Sequence, residues 1–232
     1  MLTVENLGIS FVTRMGTNKA VDGISFTVEA GKITAIIGES GSGKSVACYS
    51  LLGLIPQPPG RIDSGRVLFQ GQDLLQLTEA QLRETRGRDI AMVFQDPMTC
   101  LNPYMTVGNQ LMEPLRYHKK VSKAQARERA LELLEEVGIR DPASTIDNYP
   151  HQFSGGMRQR VMIAMALINE PKLLIADEPT TALDVTIQAQ ILELLAALQK
   201  KRNIGILFIS HDLAVVADIA DTIVVMQEGK II

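Results

Sequence analysis

The sequence predicts an α/β fold with a mostly parallel sheet, an antiparallel β layer near the N-terminus and an inserted α-helical subdomain. Three observations support this prediction. Short apolar segments alternate with helical segments in two regions of the chain, as in a parallel sheet covered by helices on both faces. A glycine-rich segment separates one of these strands from the next helix. Between the two alternating regions, residues 97–154 follow a helical pattern.

The N-terminal part predicts a small β-rich layer. Leu2–Phe11 and Val21–Val28 alternate apolar and polar residues, as half-buried strands do. Arg66–Phe69 is expected to form a third short strand before a turn. A short polar helix is expected over residues 78–86, with Thr78 as its N-cap.

The segment Gly38-Glu39-Ser40-Gly41-Ser42-Gly43-Lys44-Ser45 fits the pattern of a phosphate-binding P-loop. The buried strand Lys32–Ile37 precedes it and a helix over residues 45–54 follows, which is the context that this loop requires. The glycines let successive backbone N–H groups point inward, and the new helix adds its positive end. Lys44 would contact the β- and γ-phosphates of a nucleotide, and the Ser45 hydroxyl would bind Mg²⁺. A glycine-rich loop with a lysine by chance is the alternative, against which the flanking strand and helix argue.

The middle of the chain is helical. The buried strand Ile90–Phe94 ends at Gln95, and helices are expected over Val107–His118 and Ser122–Val137, with Gly138 as the C-terminal cap of the second. We therefore expect an insertion in an α/β core.

We expect residues 1–232 to form one domain. Residues 1–95 and 160–232 make up the nucleotide-binding core with its β layer, and residues 96–159 make up the inserted subdomain.

Strand and helix alternate again in the C-terminal part, and polar residues follow its strands. The predicted elements are a helix over 155–169, a strand over 172–176, a helix over 186–201, a strand over 204–209, a helix over 213–219 and a strand over 222–226. In parallel sheets ligands bind beyond the carboxyl ends of the strands. The P-loop, Gln95, Asp177, Glu178 and His211 are all expected at such ends.

Asp177 and Glu178 directly follow a run of four apolar residues. A carboxylate at the end of a buried strand suits Asp177 as an organiser of Mg²⁺, and Glu178 could polarise a water. A solvated acidic turn is the alternative.

Ser154-Gly155-Gly156 before a helix is a second anion-binding pattern, because a capping serine and two glycines expose N–H groups. Alone, this tripeptide is more often a plain loop.

Together these motifs resemble the ATP-binding cassette (ABC) family. The matching segments, in the family's order, are Gly38–Ser45 (Walker A), Gln95 (Q-loop), Ser154–Gln159 (signature motif), Leu173–Glu178 (Walker B), Thr181–Asp184 (D-loop) and His211 (switch histidine). They extend over nearly the whole chain. Two departures exist: Phe153 replaces the usual leucine before the signature serine, and Met157 replaces the usual glutamine.

The resemblance implies that two cassettes pair head to tail, as a homodimer or heterodimer, and enclose two ATP molecules. Glu178 would be the general base, and Lys44, Gln95 and His211 would complete the catalytic set. Mg²⁺ would be organised by Ser45, Gln95 and Asp177. The γ-phosphate held by one chain would be bound by Ser154, Gly155 and Gly156 of the other, and Asp184 would also lie at the nucleotide.

An aromatic residue that stacks on adenine is expected upstream. The spacing to Gly31 favours Phe11, with Met15 as the second choice, although Phe11 could equally be a core residue of its strand.

The segments 94–103, 149–156 and 176–190 resemble ATPase subunits of dipeptide, oligopeptide and nickel importers. We therefore expect an ATPase at the cytoplasmic face of the inner membrane, peripheral to it, with two transmembrane permease subunits and, indirectly, a solute-binding protein as partners. A peptide importer is favoured over one for nickel or another small solute. A soluble ABC ATPase acting on DNA or ribosomes is an alternative of another class, which the short insertion and single cassette disfavour.

Composition agrees with these expectations. The chain has 232 residues, of which 46% are hydrophobic, and its mean hydropathy is +0.10, as for a well-filled globular core. The net charge of −3 argues against a dedicated nucleic-acid binder, so no nucleic-acid partner is expected. We expect no signal peptide and no membrane-spanning run. Two cysteines form neither a disulfide framework nor a metal cluster, and Cys48 is expected in the core.

Overall fold

The computed structural model describes residues 1–14, 16–181 and 183–232. Its strands are β1 (Leu2–Thr13), β2 (Gly16–Val28), β3 (Ile33–Ile37), β4 (Gly60–Phe69), β5 (Gln72–Asp73), β6 (Ile90–Val93), β7 (Leu173–Asp177), β8 (Gly205–Ser210), β9 (Thr222–Gln227) and β10 (Lys230–Ile231). Its helices are α1 (Lys44–Leu51), α2 (Glu79–Thr85), α3 (Pro97–Cys100), α4 (Val107–His118), α5 (Lys123–Glu136), α6 (Pro142–Thr145), α7 (Gly155–Leu167), α8 (Val185–Arg202) and α9 (Leu213–Ala217), with 3-10 turns at Leu74–Gln76 and Pro150–Gln152.

The chain forms two compact units. The first unit contains Met1–Arg86 and Gln199–Ile232, and the second unit contains Gly87–Leu198. In the first unit, β1 pairs antiparallel with both β2 and β4, and β5 pairs with the end of β4. Val4 lies opposite Phe26 on one side and Val67 on the other, and all three are buried. Such cross-strand apolar neighbours stabilise an antiparallel layer.

The first unit also contains parallel strands. β3 pairs in parallel with both β8 and β9, and β10 turns back antiparallel to β9. Every residue of β8 is buried, as expected for a parallel strand that is covered on both faces. This arrangement puts the carboxyl ends of β3 and β8 at one edge of the sheet.

The second unit combines two parallel strands, β6 and β7, with helices that pack on one another. α4, α5 and α7 contact each other in pairs. Ser122 and Gln125 form a capping box at the start of α5, and Gly138, with φ of +80°, follows its end and donates its N–H to the Glu135 carbonyl oxygen at 2.9 Å. The packed helices bury a shared apolar core, which includes Leu111, Leu115, Ala130, Leu134, Val161 and Ile163.

The predicted fold class is confirmed. The structure has an antiparallel β layer, mostly parallel strands, and a helical segment that comes between β6 and β7 along the chain. α4 has the predicted bounds, and Thr78 and Ser122 are the N-caps of α2 and α5. The helix after the glycine-rich loop is shorter than expected, because Gly53 adopts a φ of +61° and ends it early. The assignment of residues 96–159 to an inserted subdomain stays a prediction. None of the described helices is long and apolar enough to cross a membrane.

Candidate functional site

The glycine-rich loop joins β3 to α1 in the first unit. Gly41 and Gly43 have φ values of +82° and +100°, in the region that favours glycine. A Cβ atom on Gly43 would lie 2.3 Å from the Ala20 carbonyl oxygen. The backbone therefore approaches its neighbour more closely than any other residue type would allow.

Lys44 begins α1 and is held against the loop. Its side chain is almost fully buried, with 4% exposed, and its Nζ donates to the carbonyl oxygens of Gly38 at 2.7 Å and Glu39 at 2.8 Å. The Ser42 N–H also donates to the Glu39 oxygen, at 3.2 Å. An ammonium group, glycine N–H groups and the positive end of a helix are thus gathered in one loop, which suits the phosphates of a nucleotide. Ser40 is exposed and Ser45 is half-buried at the same loop.

His211 lies at the same edge of the first unit. The β3–β8 register places Ile37 beside Ser210, so the segments that follow both strands start side by side. The Ser210 Oγ accepts the Asp212 N–H at 2.9 Å, and the Asp212 carboxylate caps α9 by accepting the Ala214 N–H at 2.9 Å. These bonds fix the turn that carries the exposed His211.

Phe11 lies in the antiparallel layer of the first unit. It is half-buried in β1, between Asn18 of β2 and Gly60 of β4. A Cβ atom on Gly60 would lie 3.4 Å from the Phe11 ring, so the ring packs beside that glycine. Its predicted contact with adenine stays a prediction, and the alternative, Met15, lies outside the described residues.

The second unit brings Gln95 and Glu178 together. Because β6 and β7 are parallel, with Val93 beside Ala176, the segments after both strands start at one edge. The Gln95 Nε2 donates to the Glu178 Oε2 at 3.1 Å, and the Thr181 Oγ1 donates to the same oxygen at 3.0 Å. Two donors on one oxygen orient the carboxylate. The backbone of Glu178 is left-handed, with φ of +45°.

Asp177 ends β7 and is 1% exposed. The predicted Mg²⁺ ligands are the oxygens of Ser45, Gln95 and Asp177, the donor type that Mg²⁺ prefers. Gln95 uses its Nε2 for Glu178, which leaves its Oε1 as an acceptor. Among the described residues, no group of three or more His, Cys, Asp or Glu side chains is arranged to hold a metal ion.

Ser154 is the N-cap of α7, and its Oγ accepts the Met157 N–H at 3.3 Å. Gly155 and Gly156 form the first turn of that helix, and a Cβ atom on Gly156 would lie 2.8 Å from the Ile187 side chain. The exposed Asp184 stands before α8, where its Oδ1 accepts the Ile187 N–H at 3.0 Å. Ala182, in the predicted D-loop, lies outside the described residues.

Three polar residues of the second unit were not predicted to have a role of their own. Thr181 orients Glu178. The sequence feature that could have identified it is a hydroxyl three residues after the glutamate. Arg158 and Gln159 line a small cavity beside Gln95. The sequence signal for Gln159 was a polar residue two positions before the apolar run Val161–Ile168.

The two cysteines are free thiols. Cys48 is buried in the core, as predicted, and Cys100 is half-buried at the end of α3. Burial raises the pKa of the Cys100 thiol.

Comparison with known proteins adds independent findings. The profile of the ABC transporter family matches residues 21–181. The oligopeptide transport ATP-binding protein OppD of Bacillus subtilis is 56% identical over 232 residues, which is all of this chain and 65% of OppD. The dipeptide transport ATP-binding protein DppD of Escherichia coli is 53% identical over 232 residues, which is all of this chain and 71% of DppD. The chain therefore spans about two thirds of the length of these curated relatives.

Solved structures of ABC transporter cassettes have a similar fold. The dimeric structure of MJ0796, a bacterial ABC transporter cassette, has a TM-score of 0.88 at 28% identity and covers all of this chain and 96% of MJ0796. A second dimeric structure of MJ0796, in a post-hydrolysis state bound to ADP and Pi, has the same TM-score of 0.88.

Proposed function

The chain belongs to the ABC transporter family, and from this premise we propose that it binds and hydrolyses ATP to power an importer of dipeptides or oligopeptides. The observation that carries this proposal is the identity of 56% to a peptide-transport ATP-binding protein along the whole chain. The names of the relatives favour peptides over nickel as the transported solute.

In this proposal the P-loop of the first unit binds the phosphates of ATP. The Lys44 ammonium would exchange its bonds to the Gly38 and Glu39 carbonyl oxygens for bonds to phosphate oxygens, which are stronger because both partners are charged. His211 would contact the γ-phosphate, and Phe11 would stack on adenine. Mg²⁺, held by Ser45, Gln95 and Asp177, would neutralise charge on the phosphates.

Glu178 is the proposed general base. The bonds from Gln95 and Thr181 both go to its Oε2, so they hold the carboxylate in one orientation. A carboxylate oriented in this way can take a proton from an attacking water, and Gln95 would help to position that water.

A second cassette is the proposed partner at the nucleotide, as a homodimer or a heterodimer. The exposed Ser154, with Gly155 and Gly156 at the N-terminus of α7, would bind the γ-phosphate held by the other chain. Asp184 would lie at the same interface. The dimeric structure of MJ0796 supports this arrangement by analogy.

Two permease subunits and a solute-binding protein complete the proposed importer. The chain would be peripheral to the cytoplasmic face of the membrane, and residues 96–159 would form the helical subdomain that meets the permeases. Within this subdomain Tyr104 is 90% exposed and Met98 is 58% exposed, and such apolar side chains are typical of a surface that binds another protein.

The proposal is tested by reconstituting the chain in vesicles with its permeases and binding protein and by measuring ATP-dependent uptake of a labelled dipeptide. We expect uptake that is lost in Lys44→Ala. Uptake of nickel but not of peptide would overturn the solute assignment. The ATPase rate per chain should also rise with the concentration of cassette, because each site needs two chains. A rate independent of concentration, in a chain shown to be monomeric, would refute the shared site.

A further inference from the structure

An open groove of about 590 Å³ lies in the second unit, between α5 and α6. The α5 residues that line it recur at helical spacing from Ala124 to Glu135, on the face turned away from the buried Ala130 and Leu133. At 1.5 Å per residue this stripe is roughly 16 Å long. The groove is therefore long enough to receive two to three turns of another helix.

The floor of the groove is apolar. Leu131 is half-buried in the middle of the stripe, and the small side chains of Ala124, Pro142 and Ala143 also line the groove. The distance between packed helices depends on the side chains at their contact, so small ones allow close approach. An apolar groove between helices is a common receptor for the apolar face of an amphipathic helix.

Charged side chains border this apolar floor, and two of them have no counter-ion. The charged residues of the groove are Arg127, Glu128, Glu132 and Glu135. Arg127 donates to both oxygens of Asp147 at 2.8 and 2.7 Å, and Glu132 accepts from Arg129 at 2.8 Å. The carboxylates of Glu128 and Glu135 have neither an ion pair nor a hydrogen bond in the part of the chain that the structure describes.

The position of these glutamates on α5 is unfavourable for the helix itself. Glu128 and Glu132 are four residues apart and Glu132 and Glu135 are three apart, which are spacings at which like charges repel each other. Glu135 also lies in the last turn, at the negative end of the helix, and that turn contains no basic residue. Positive charge supplied by a partner would relieve both effects.

The two carboxylates also have a defined spacing. Glu128 and Glu135 are seven residues apart, which is roughly 10 Å along α5. A helix lying along the groove presents side chains seven residues apart at that same spacing. We propose that this groove is a docking site for a cationic amphipathic helix of another protein, with apolar residues on Leu131 and two basic residues beside Glu128 and Glu135. The inference does not depend on the proposed ATPase function.

Other occupants fit the groove less well. An anionic membrane surface or a nucleic acid would be repelled by the same two carboxylates. No described helix of this chain carries two basic residues seven positions apart, so a second copy does not supply the docking helix. A metal ion is not favoured either, since no cluster of three or more His, Cys, Asp or Glu side chains suited to one occurs among the described residues.

The test uses the whole chain and a fluorescein-labelled peptide of about 20 residues, which is long enough to form a helix. The peptide is built from alanine, leucine and glutamine, with two lysines seven positions apart on its leucine face. A second peptide has glutamates in place of the lysines. Fluorescence anisotropy should show saturable binding of the lysine peptide and none of the glutamate peptide. Binding should weaken as salt is added, because the ion pairs are exposed to solvent.

Variants of the groove separate charge from apolar contact. Glu128→Gln and Glu135→Gln should each weaken binding about two- to fivefold, as for one partly exposed ion pair. Leu131→Gln should weaken it by about tenfold, because an apolar contact is lost. Glu113→Gln, at an exposed glutamate of α4, is the matched control and should bind as the parent does.

A charge swap keeps the test decisive if one of these variants folds poorly. The double variant Glu128→Lys with Glu135→Lys should reject the lysine peptide and bind the glutamate peptide, a gain that misfolding cannot produce. Three outcomes would overturn the inference: no binding or equal binding of the two peptides by the parent, unchanged preference in the charge swap, or unchanged binding in Leu131→Gln. Self-association of the parent that the charge swap abolishes would assign the groove to a second copy and overturn it as well.

Discussion

Replacing Glu178 by glutamine tests the proposed chemistry most directly. The amide has almost the same shape, and its oxygen can still accept the bonds that the Gln95 Nε2 and Thr181 Oγ1 make to the carboxylate at 3.1 and 3.0 Å. The amide cannot take a proton from water. Loss of a general base costs about 10²–10⁴-fold in rate, which corresponds to roughly 3–5 kcal/mol of barrier. ATP binding should change little, because the P-loop is untouched.

The assay is release of phosphate alongside size-exclusion chromatography with ATP. In Glu178→Gln the γ-phosphate persists, so ATP should keep two chains together and stabilise the dimer by mass action. Glu135→Gln, at an exposed glutamate of α5, controls for the loss of a surface charge. If Glu178→Gln hydrolyses ATP within a few-fold of the parent, with contaminating ATPase excluded, Glu178 is not the base. His211 then becomes the next candidate for the base, with Gln95 orienting the water.

Three further predictions concern other parts of the chain. Lys44→Ala should weaken ATP binding by about 10–100-fold, as expected for a lost bond to a charged group, and a fluorescent-nucleotide titration that shows unchanged affinity would contradict this. Gln159→Leu should be neutral or raise the free energy of unfolding, by up to about 1–3 kcal/mol, because it removes a buried amide whose Nε2 has no hydrogen-bond partner among the described residues, whereas Gln159→Ala should lower it by leaving a cavity; urea denaturation distinguishes the two. The hydrogen bond from Lys32, with that of the Ile33 N–H, lowers the pKa of Asp221 below its ordinary value of 3.8. The resulting stabilisation is present above pH 3.8 and is lost as the pH falls below it, so the unfolding free energy of Asp221→Asn should fall less steeply than that of the parent across this pH range; equal slopes would rule the contribution out.

Local signals predicted those parts of the fold that depend on local chemistry. Thr78 was predicted as an N-cap because a hydroxyl that caps a helix acts within three residues of itself. The length of the β1–β2 hairpin was underestimated, since residues 17–19 are polar and owe their strand conformation to pairing with β1. Pro114 inside α4 did not end that helix, whose buried residues Leu111 and Leu115 pack against neighbouring helices.

The candidate site likewise has a part that local sequence predicts and a part that depends on tertiary structure. The glycine-rich loop is continuous in sequence, so its spacing alone predicted it. The bond from Gln95 to Glu178 joins residues 83 apart and depends on the register of β6 with β7, which no local pattern encodes. The unpartnered amide of Gln159 was beyond prediction for a similar reason. Whether a buried glutamine finds a partner depends on the packing of loops that are distant in sequence.

The burial of Lys44 has a practical consequence for chemical footprinting. Amine-reactive labels need an accessible amine, and Lys44 is only 4% exposed, with its Nζ bonded to two carbonyl oxygens of its own loop. Lysines such as Lys230, whose side chain is 64% exposed, will label readily by comparison. Protection of Lys44 in a labelling experiment will therefore be seen with or without nucleotide, and occupancy has to be read from another reporter.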